Sequence, residues 1–255
     1  MIPIVFDLGI FPIYSFGLML VMAFYASTRI LENELEYYHC DRKDAENIIV
    51  YGAMGGIIGA KLLSVFSNFS FFLKDPIGIL FSGAGFVFYG GLIGGAVAIG
   101  FRFFKNKIPI MLGADITALA VLIGYAVGRI GCQLSGDGDY GTVTDSILGM
   151  SFSLGVVPTP ENALVHPTPF YESMIALIIM FMMISLRDRL FFKYRGEFFA
   201  GYLIFASIER FFIEFFRVEP KFYLGLSQAQ LISVIFIILG LFIFIFNRFL
   251  KKNKV

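Results

Sequence analysis

Charge is what this sequence has least of: Asp, Glu, Lys and Arg together make up 15% of its 255 residues. That is too little to clothe an ordinary water-soluble domain, and a net charge of +1 points to neither nucleic acid nor an acidic partner. Cysteine is scarce as well. Cys40 and Cys132 alone make no disulfide framework. Catalytic signatures of other classes are missing: there is no His-Glu-x-x-His, no Gly-x-Ser-x-Gly and no phosphate loop ending in Gly-Lys-Ser/Thr, which argues against a protease or a nucleotide-driven pump. The beginning lacks a basic start followed by a short apolar core and a small-residue cleavage site, so no removable signal peptide is expected.

Apolar residues fill the gap. They make up 58% of the chain and recur in runs of membrane-spanning length. The reading is an all-α polytopic membrane protein, a single domain over 1–255, with seven transmembrane helices near 13–31, 47–67, 86–104, 113–135, 170–189, 198–218 and 227–249. Residues 1–12 read as an interfacial arm. Phe69 to Leu73 is too short to cross and too aromatic for a free loop, so it reads as an interfacial or re-entrant piece. Fourteen of the 20 Lys and Arg fall on one side, from Arg29, Arg42 and Lys43 to Arg187, Arg189 and the tail Lys251, Lys252 and Lys254. That side is then the cytoplasm, which puts the N-terminus outside and the C-terminus inside. Residues 136–168, with no Lys or Arg, form an external head or lid of turns and short strands between the fourth and fifth helices.

Two constellations break the apolar pattern. Gly128-Arg129-Ile130-Gly131-Cys132-Gln133-Leu134-Ser135-Gly136-Asp137 carries an arginine inside a membrane-length segment, and such a charge is costly unless it meets an anion or a carboxylate. The sixth span holds Arg210, Glu214 and Arg217 at spacings of four and three, which places all three on one helical face. Glu214 orients both arginines, and the surplus positive charge invites an anion; planar guanidinium groups suit phosphate through paired hydrogen bonds. A purely structural ion network is the other reading. Gly52, Gly55, Gly56 and Gly59 repeat against Gly90, Gly91, Gly94 and Gly95 at spacings that let helix backbones approach closely. Tyr89 stands at the outer end of the third helix, either near the depth of Arg129 or as a member of the interfacial aromatic belt.

Taken in order, Phe16-Gly17-Leu18-Met19, Tyr89-Gly90-Gly91, the Gly128 to Gly131 motif with its Gly/Asp turn, His166-Pro167-Thr168-Pro169-Phe170-Tyr171-Glu172, and Arg210 to Arg217 with Val218-Glu219-Pro220 resemble the bacterial prolipoprotein diacylglyceryl transferases over nearly the whole chain. The resemblance implies an enzyme of the inner membrane, with its site near the outer half of the bilayer, that moves the diacylglyceryl group of phosphatidylglycerol onto the lipobox cysteine of a preprolipoprotein. That is the first step of lipoprotein maturation, and no cofactor or metal is implied. The partners implied are phosphatidylglycerol, the acceptor's signal peptide and the membrane, without nucleic acid. Arg129 and Arg210 are then the phosphate-binding residues, supported by Arg217 and Glu214, with Ser135, Gly90 and Gly91 on the substrate side.

The chain departs from the family pattern at several positions. Tyr89 stands where most members carry histidine, Phe16 replaces a tyrosine, and Cys132, Ser135 and Asp137 replace the usual asparagines and glutamate. A phenol is a poorer base than imidazole at neutral pH, so Asp137 or Glu214, directly or through Tyr89, becomes the candidate proton acceptor. Cys132 reads as a nucleophile or as a small buried substitute for asparagine. His166, one of two histidines, is expected to tie the head to the fifth helix through Glu172 or Tyr171. The alternative function is a relative that kept the scaffold, lost the chemistry and binds or transports a lipid or anionic solute.

Overall fold

The computed structural model describes residues 1–7, 9, 12–81, 86–161, 163–187, 192–222 and 225–250. Arg189, Lys251, Lys252 and Lys254 of the basic side lie outside them. Short strands β1 (Ile4–Asp7) and β2 (Pro12–Tyr14) pair antiparallel, with Ile4 opposite Tyr14. The arm expected to lie in the interface is a small hairpin, and the fold is not purely helical. It is pinned at both ends: Ser15 N–H donates to the Pro3 carbonyl (2.9 Å) and Ile2 N–H to that of Leu134 (3.0 Å).

Helices follow: α1 (Ser15–Tyr37), α2 (Ala45–Ser67), α3 (Phe69–Phe72), α4 (Pro76–Phe81), α5 (Phe88–Lys105), α6 (Ile110–Ser135), α7 (Thr168–Arg187), α8 (Glu197–Ile213) and α9 (Gln228–Leu250). Each of the seven expected spans is thus occupied by a helix. Among the described residues, four helices are long and apolar enough to cross a membrane: α2 with its preceding turn, α6, α7 and α9. The aromatic stretch at Phe69 folds as the single-turn helix α3.

The chain forms two compact units, residues 31–113 in one and residues 1–30 with 114–255 in the other. Inside the first, the glycine rows of α2 and α5 face each other. A methyl built on Gly59 would stand 2.8 Å from the Gly94 Cα, and one on Gly90 would stand 2.6 Å from the Leu63 Cβ. Side chains are excluded there because backbone meets backbone. Gly91 packs on the Ala60 side of the same contact. In this unit Arg102 of α5 and Asn106 both bond the buried Asp44 that precedes α2.

The second unit is built on α6, α7 and α8. Ala118, Leu119, Leu122 and Ala126 recur at helical spacing along α6 and pack with Ala176, Ile179, Met180 and Met183 of α7 and Phe198 of α8. Asp115, fully buried in α6, accepts from Gly196 N–H (2.6 Å) and Phe199 N–H (2.8 Å) and so satisfies the N-terminus of α8. At the start of α9, Ser227 and Gln230 bond each other's backbone N–H reciprocally at 3.2 and 3.0 Å, a capping box that sets where the helix begins. Residues 136–167 are held by isolated bridges, Val165 pairing with both Val143 and Met150.

Candidate functional site

α6 ends at Ser135, just before Gly136, whose φ of +60° a side-chain-bearing residue adopts only with strain, and Gly138 (φ +96°) turns the chain again. The two turns bring Asp139 back toward its own helix. Its carboxylate pairs with Arg129, three residues before Cys132, and with Arg217 Nη2 at 3.0 Å. Thr168 Oγ1, at the start of α7, donates to the Asp139 carbonyl (2.6 Å), and so does Arg217 Nη1 (3.1 Å). Asp139 is thus the carboxylate of the Gly/Asp run that faces the arginines. Asp137 accepts from the Asp139 backbone N–H at 3.3 Å.

One turn into α7, Glu172 is wholly buried and lies at the centre. Its two oxygens meet different guanidinium groups: Arg129 Nε at 2.5 Å and Arg210 Nη1 at 2.7 Å, with Arg217 Nη1 at 3.9 Å. Glu214, also buried, pairs with Arg210 Nη2 (3.0 Å) and Arg217 Nε (3.7 Å). Arg129, Arg210, Arg217, Asp139, Glu172 and Glu214 therefore form one alternating network, with the Tyr125 ring 5.1 Å from the Arg129 guanidinium. The sequence reading of surplus positive charge is corrected here. Three guanidinium groups face Asp139, Glu172 and Glu214, with the exposed Glu219 also 3.2 Å from Arg217 Nη2, because Asp139 and Glu172 arrive from other segments of the chain.

The backbone carrying Arg217 also differs from expectation. α8 stops at Ile213, and residues 214–217 continue as tight turns, Phe216 N–H bonding the Ile213 carbonyl at 2.9 Å. The head causes the stop: Thr142 N–H takes the Phe216 carbonyl (2.7 Å), and Arg217 forms a bridge with Gly141. The glycine is required at 141, since a methyl there would stand 3.0 Å from both His166 Cβ and Thr168 Cγ2.

Electrostatics fit the geometry at the one member of the network that lies in the head. Burial acts to raise the Asp139 carboxyl, but the Arg217 and Arg129 charges outweigh it and hold the group below the usual carboxylate range.

Other expected residues are placed as follows. His166 Nδ1 lies 3.5 Å from the Tyr171 hydroxyl and its ring 4.9 Å from that of Phe216. The tie runs to Tyr171 rather than to Glu172, which the arginines occupy. Ser135 is buried and donates to the Cys132 carbonyl (3.2 Å). Cys132 is buried, its sulfur 4.0 Å from Arg129 Nη1. Ligand atoms of Cys132, Asp137 and Asp139 lie within 4.8 Å of one another, but Asp139 is already engaged by two arginines, a poor arrangement for a cation. Tyr89, Gly90 and Gly91 belong to α5 in the other unit, Tyr89 half-buried and Gly90 buried. The roles of Glu172 as hub and of Asp139 as partner escaped the sequence reading. The local sign of the first is a glutamate heading an apolar span, which needs a cation; Asp139 lies two residues beyond Asp137, and nothing local distinguishes the two aspartates.

Comparisons with known proteins cover nearly the whole chain. The family profile for prolipoprotein diacylglyceryl transferase matches residues 3–246. The phosphatidylglycerol–prolipoprotein diacylglyceryl transferase of Clostridium tetani is 30% identical, covering 98% of this chain and 99% of its own. The protein of the same name from Chlorobaculum tepidum is 32% identical, covering 98% and 91%, and a second Clostridium protein, from Clostridium perfringens, is 30% identical over 95% and 93%.

Proposed function

This chain belongs to the prolipoprotein diacylglyceryl transferase family, and from that premise we propose that its arginine–carboxylate network is the phosphate-binding centre of the transfer. The protein is a transferase of lipoprotein biosynthesis that uses phosphatidylglycerol as donor and a prolipoprotein as acceptor. The observation that carries the site assignment is the sharing of buried Glu172 between Arg129 and Arg210, two guanidinium groups held by one rigid carboxylate.

In the reaction the acceptor thiolate attacks the glyceryl carbon, a sulfur–carbon bond forms, and the carbon–oxygen bond to phosphate breaks with its electron pair leaving on glycerol 1-phosphate. Negative charge grows on the phosphate as this bond opens. Arg129 and Arg210, fixed beforehand, stabilise that charge without reorganising at the moment of reaction. Because both are already paired with Glu172, the phosphate shares them with a carboxylate rather than filling a bare cationic hole. Arg217 and Glu214 brace the pair, and Ser135, Gly90 and Gly91 are assigned to the substrate side. The thiol proton leaves before or during attack, since the thiolate is the nucleophile. Tyr89 occupies the family's histidine position and Asp137 carries a carboxylate, so each is a proposed proton acceptor.

The finer placement is also proposed: seven spans, the N-terminus outside, the C-terminus in the cytoplasm, the head at 136–168 outside, and the site in the outer half of the inner membrane. The acceptor's signal peptide docks near that head. A mass-shift assay tests the activity. Purified protein with phosphatidylglycerol vesicles and a synthetic lipobox peptide bearing a single cysteine yields a diacylglyceryl adduct on that cysteine and free glycerol 1-phosphate. No adduct, with a relative active on the same peptide, overturns the assignment and returns the protein to lipid or anion binding.

A further inference from the structure

Glu209 is the acid that the network leaves over. It directly precedes Arg210 in α8, is 7% exposed, and has a buried Oε1 with no hydrogen-bond partner among the described residues. None of the ion pairs among the described residues includes it. A buried carboxyl oxygen left bare in a native fold calls for an explanation.

Its surroundings supply one. Glu209 lines a cleft of about 350 Å³ between α7 and α8, whose other walls are apolar side chains such as Ile175, Ile179, Phe205 and Phe212. It also interacts electrostatically with Arg129 of α6, Glu172 of α7 and Arg210 of its own helix. The phenols of Tyr125 on α6 and Tyr202 on α8 interact with it electrostatically as well. From α9, packed on α8, it meets no charged group, because the one such residue within α9, Arg248, pairs with Glu197 at the far end of α8. Arg129, Arg210 and Arg217 are already matched by Asp139, Glu172 and Glu214, with exposed Glu219 also on Arg217, so Glu209 makes five carboxyl groups to three guanidinium groups. A phosphodiester entering this site brings a further negative charge into a water-poor interior.

We propose that Glu209 takes up a proton when an anionic phospholipid enters the network, so that the charge of the phosphate is matched by a proton rather than by a new cation. The inference rests on the phosphate-binding role assigned above. Glu209 is here a positioning residue for charge: it does not touch the scissile bond, and once neutral it no longer competes electrostatically with the phosphate for Arg210. The proton comes from water and returns to it when the phosphate product leaves.

The probe is a phosphatidylglycerol analogue with a methylene in place of the scissile oxygen, presented in uncharged detergent micelles, so that binding is read without turnover. Its own acid group does not titrate between pH 6 and 9. For the wild type, Kd rises toward tenfold per pH unit over part of that range, as one-proton linkage requires. Glu209→Gln, isosteric and permanently neutral, binds at least as tightly at pH 8 and loses most of the slope. Every other acid and base of the protein is unchanged in the variant, so the difference between the two profiles isolates Glu209. A Gln variant that keeps the wild-type slope overturns the proposal and leaves the phosphate site standing. Calorimetry of the wild type in buffers of different ionisation enthalpy counts the protons directly. About one per lipid is expected, and a count of zero overturns the proposal even if the variant does not fold. If folded wild type binds no analogue at any pH, the phosphate-binding role fails first and this inference falls with it.

Discussion

Arg129, Arg210 and Glu172 form a linked set in which each member performs a separable task. Replacing Arg129 or Arg210 by Ala removes positive charge where the leaving phosphate gathers negative charge, and transfer falls by at least about a hundredfold. Peptide-lipidation rates measured on folded, membrane-extracted variants check this, and rates near wild type would refute the phosphate role. Glu172→Ala acts differently, because it strands two buried guanidinium groups at once. It destabilises the protein by about 3–5 kcal/mol, the scale for breaking one half of a buried ion pair, and thermal unfolding in detergent reads the loss. Asp139 gives a pH signature. Its folded-state carboxyl is held below its unfolded value of about 3.9, so its stabilisation is complete above that pH and is lost as pH falls toward the folded value. The wild type is therefore expected to lose thermal stability below about pH 4, and Asp139→Asn to be less stable at neutral pH with a shallower acid loss. Parallel acid curves for the two would remove Asp139 from the network. Tyr89→Phe separates phenol chemistry from packing: lost activity in a stable variant supports a proton role, and full activity moves suspicion to Asp137.

At the scale of elements, two contacts set what the helices can tolerate. The α2–α5 interface has no room for side chains at Gly59 or Gly90. Gly59→Leu forces the helices apart and costs about 1–3 kcal/mol, seen as a lower Tm with the α6–α8 core intact. Gly100, with open space around its Cβ position, is the control and tolerates alanine. Asp115→Ala leaves the N–H groups of Gly196 and Phe199 without their acceptor, again about 1–3 kcal/mol, and loosens the first turn of α8. Hydrogen exchange at that turn reports it directly. Neither role was evident from composition. The glycine rows announced close packing by their spacing alone, whereas Asp115 gave no local sign that its partner lies some eighty residues away.

For the molecule as a whole, the testable quantity is which side of the membrane each connection occupies. Cys40, half-buried after α1, falls on the basic, cytoplasmic side of the proposed topology, so a membrane-impermeant maleimide labels it in inverted vesicles and spares it in intact cells. Labelling in intact cells would reverse the orientation. The sequence by itself determined the membrane class, the positions of seven helices and the family, because apolar runs and motif order are local properties written along the chain. It also singled out Arg129, Arg210 and Arg217, since a guanidinium inside an apolar span is conspicuous wherever it folds. Only the tertiary structure decided what those arginines meet. The positive φ of Gly136 and Gly138 turns Asp139 back onto α6, the head's bond to Phe216 ends α8 before Arg217, and the start of α7 delivers Glu172 between two helices. Each of these partnerships joins residues far apart in the chain. Spacing along one helix counted an excess of positive charge, and packing of three helices and a loop cancelled it.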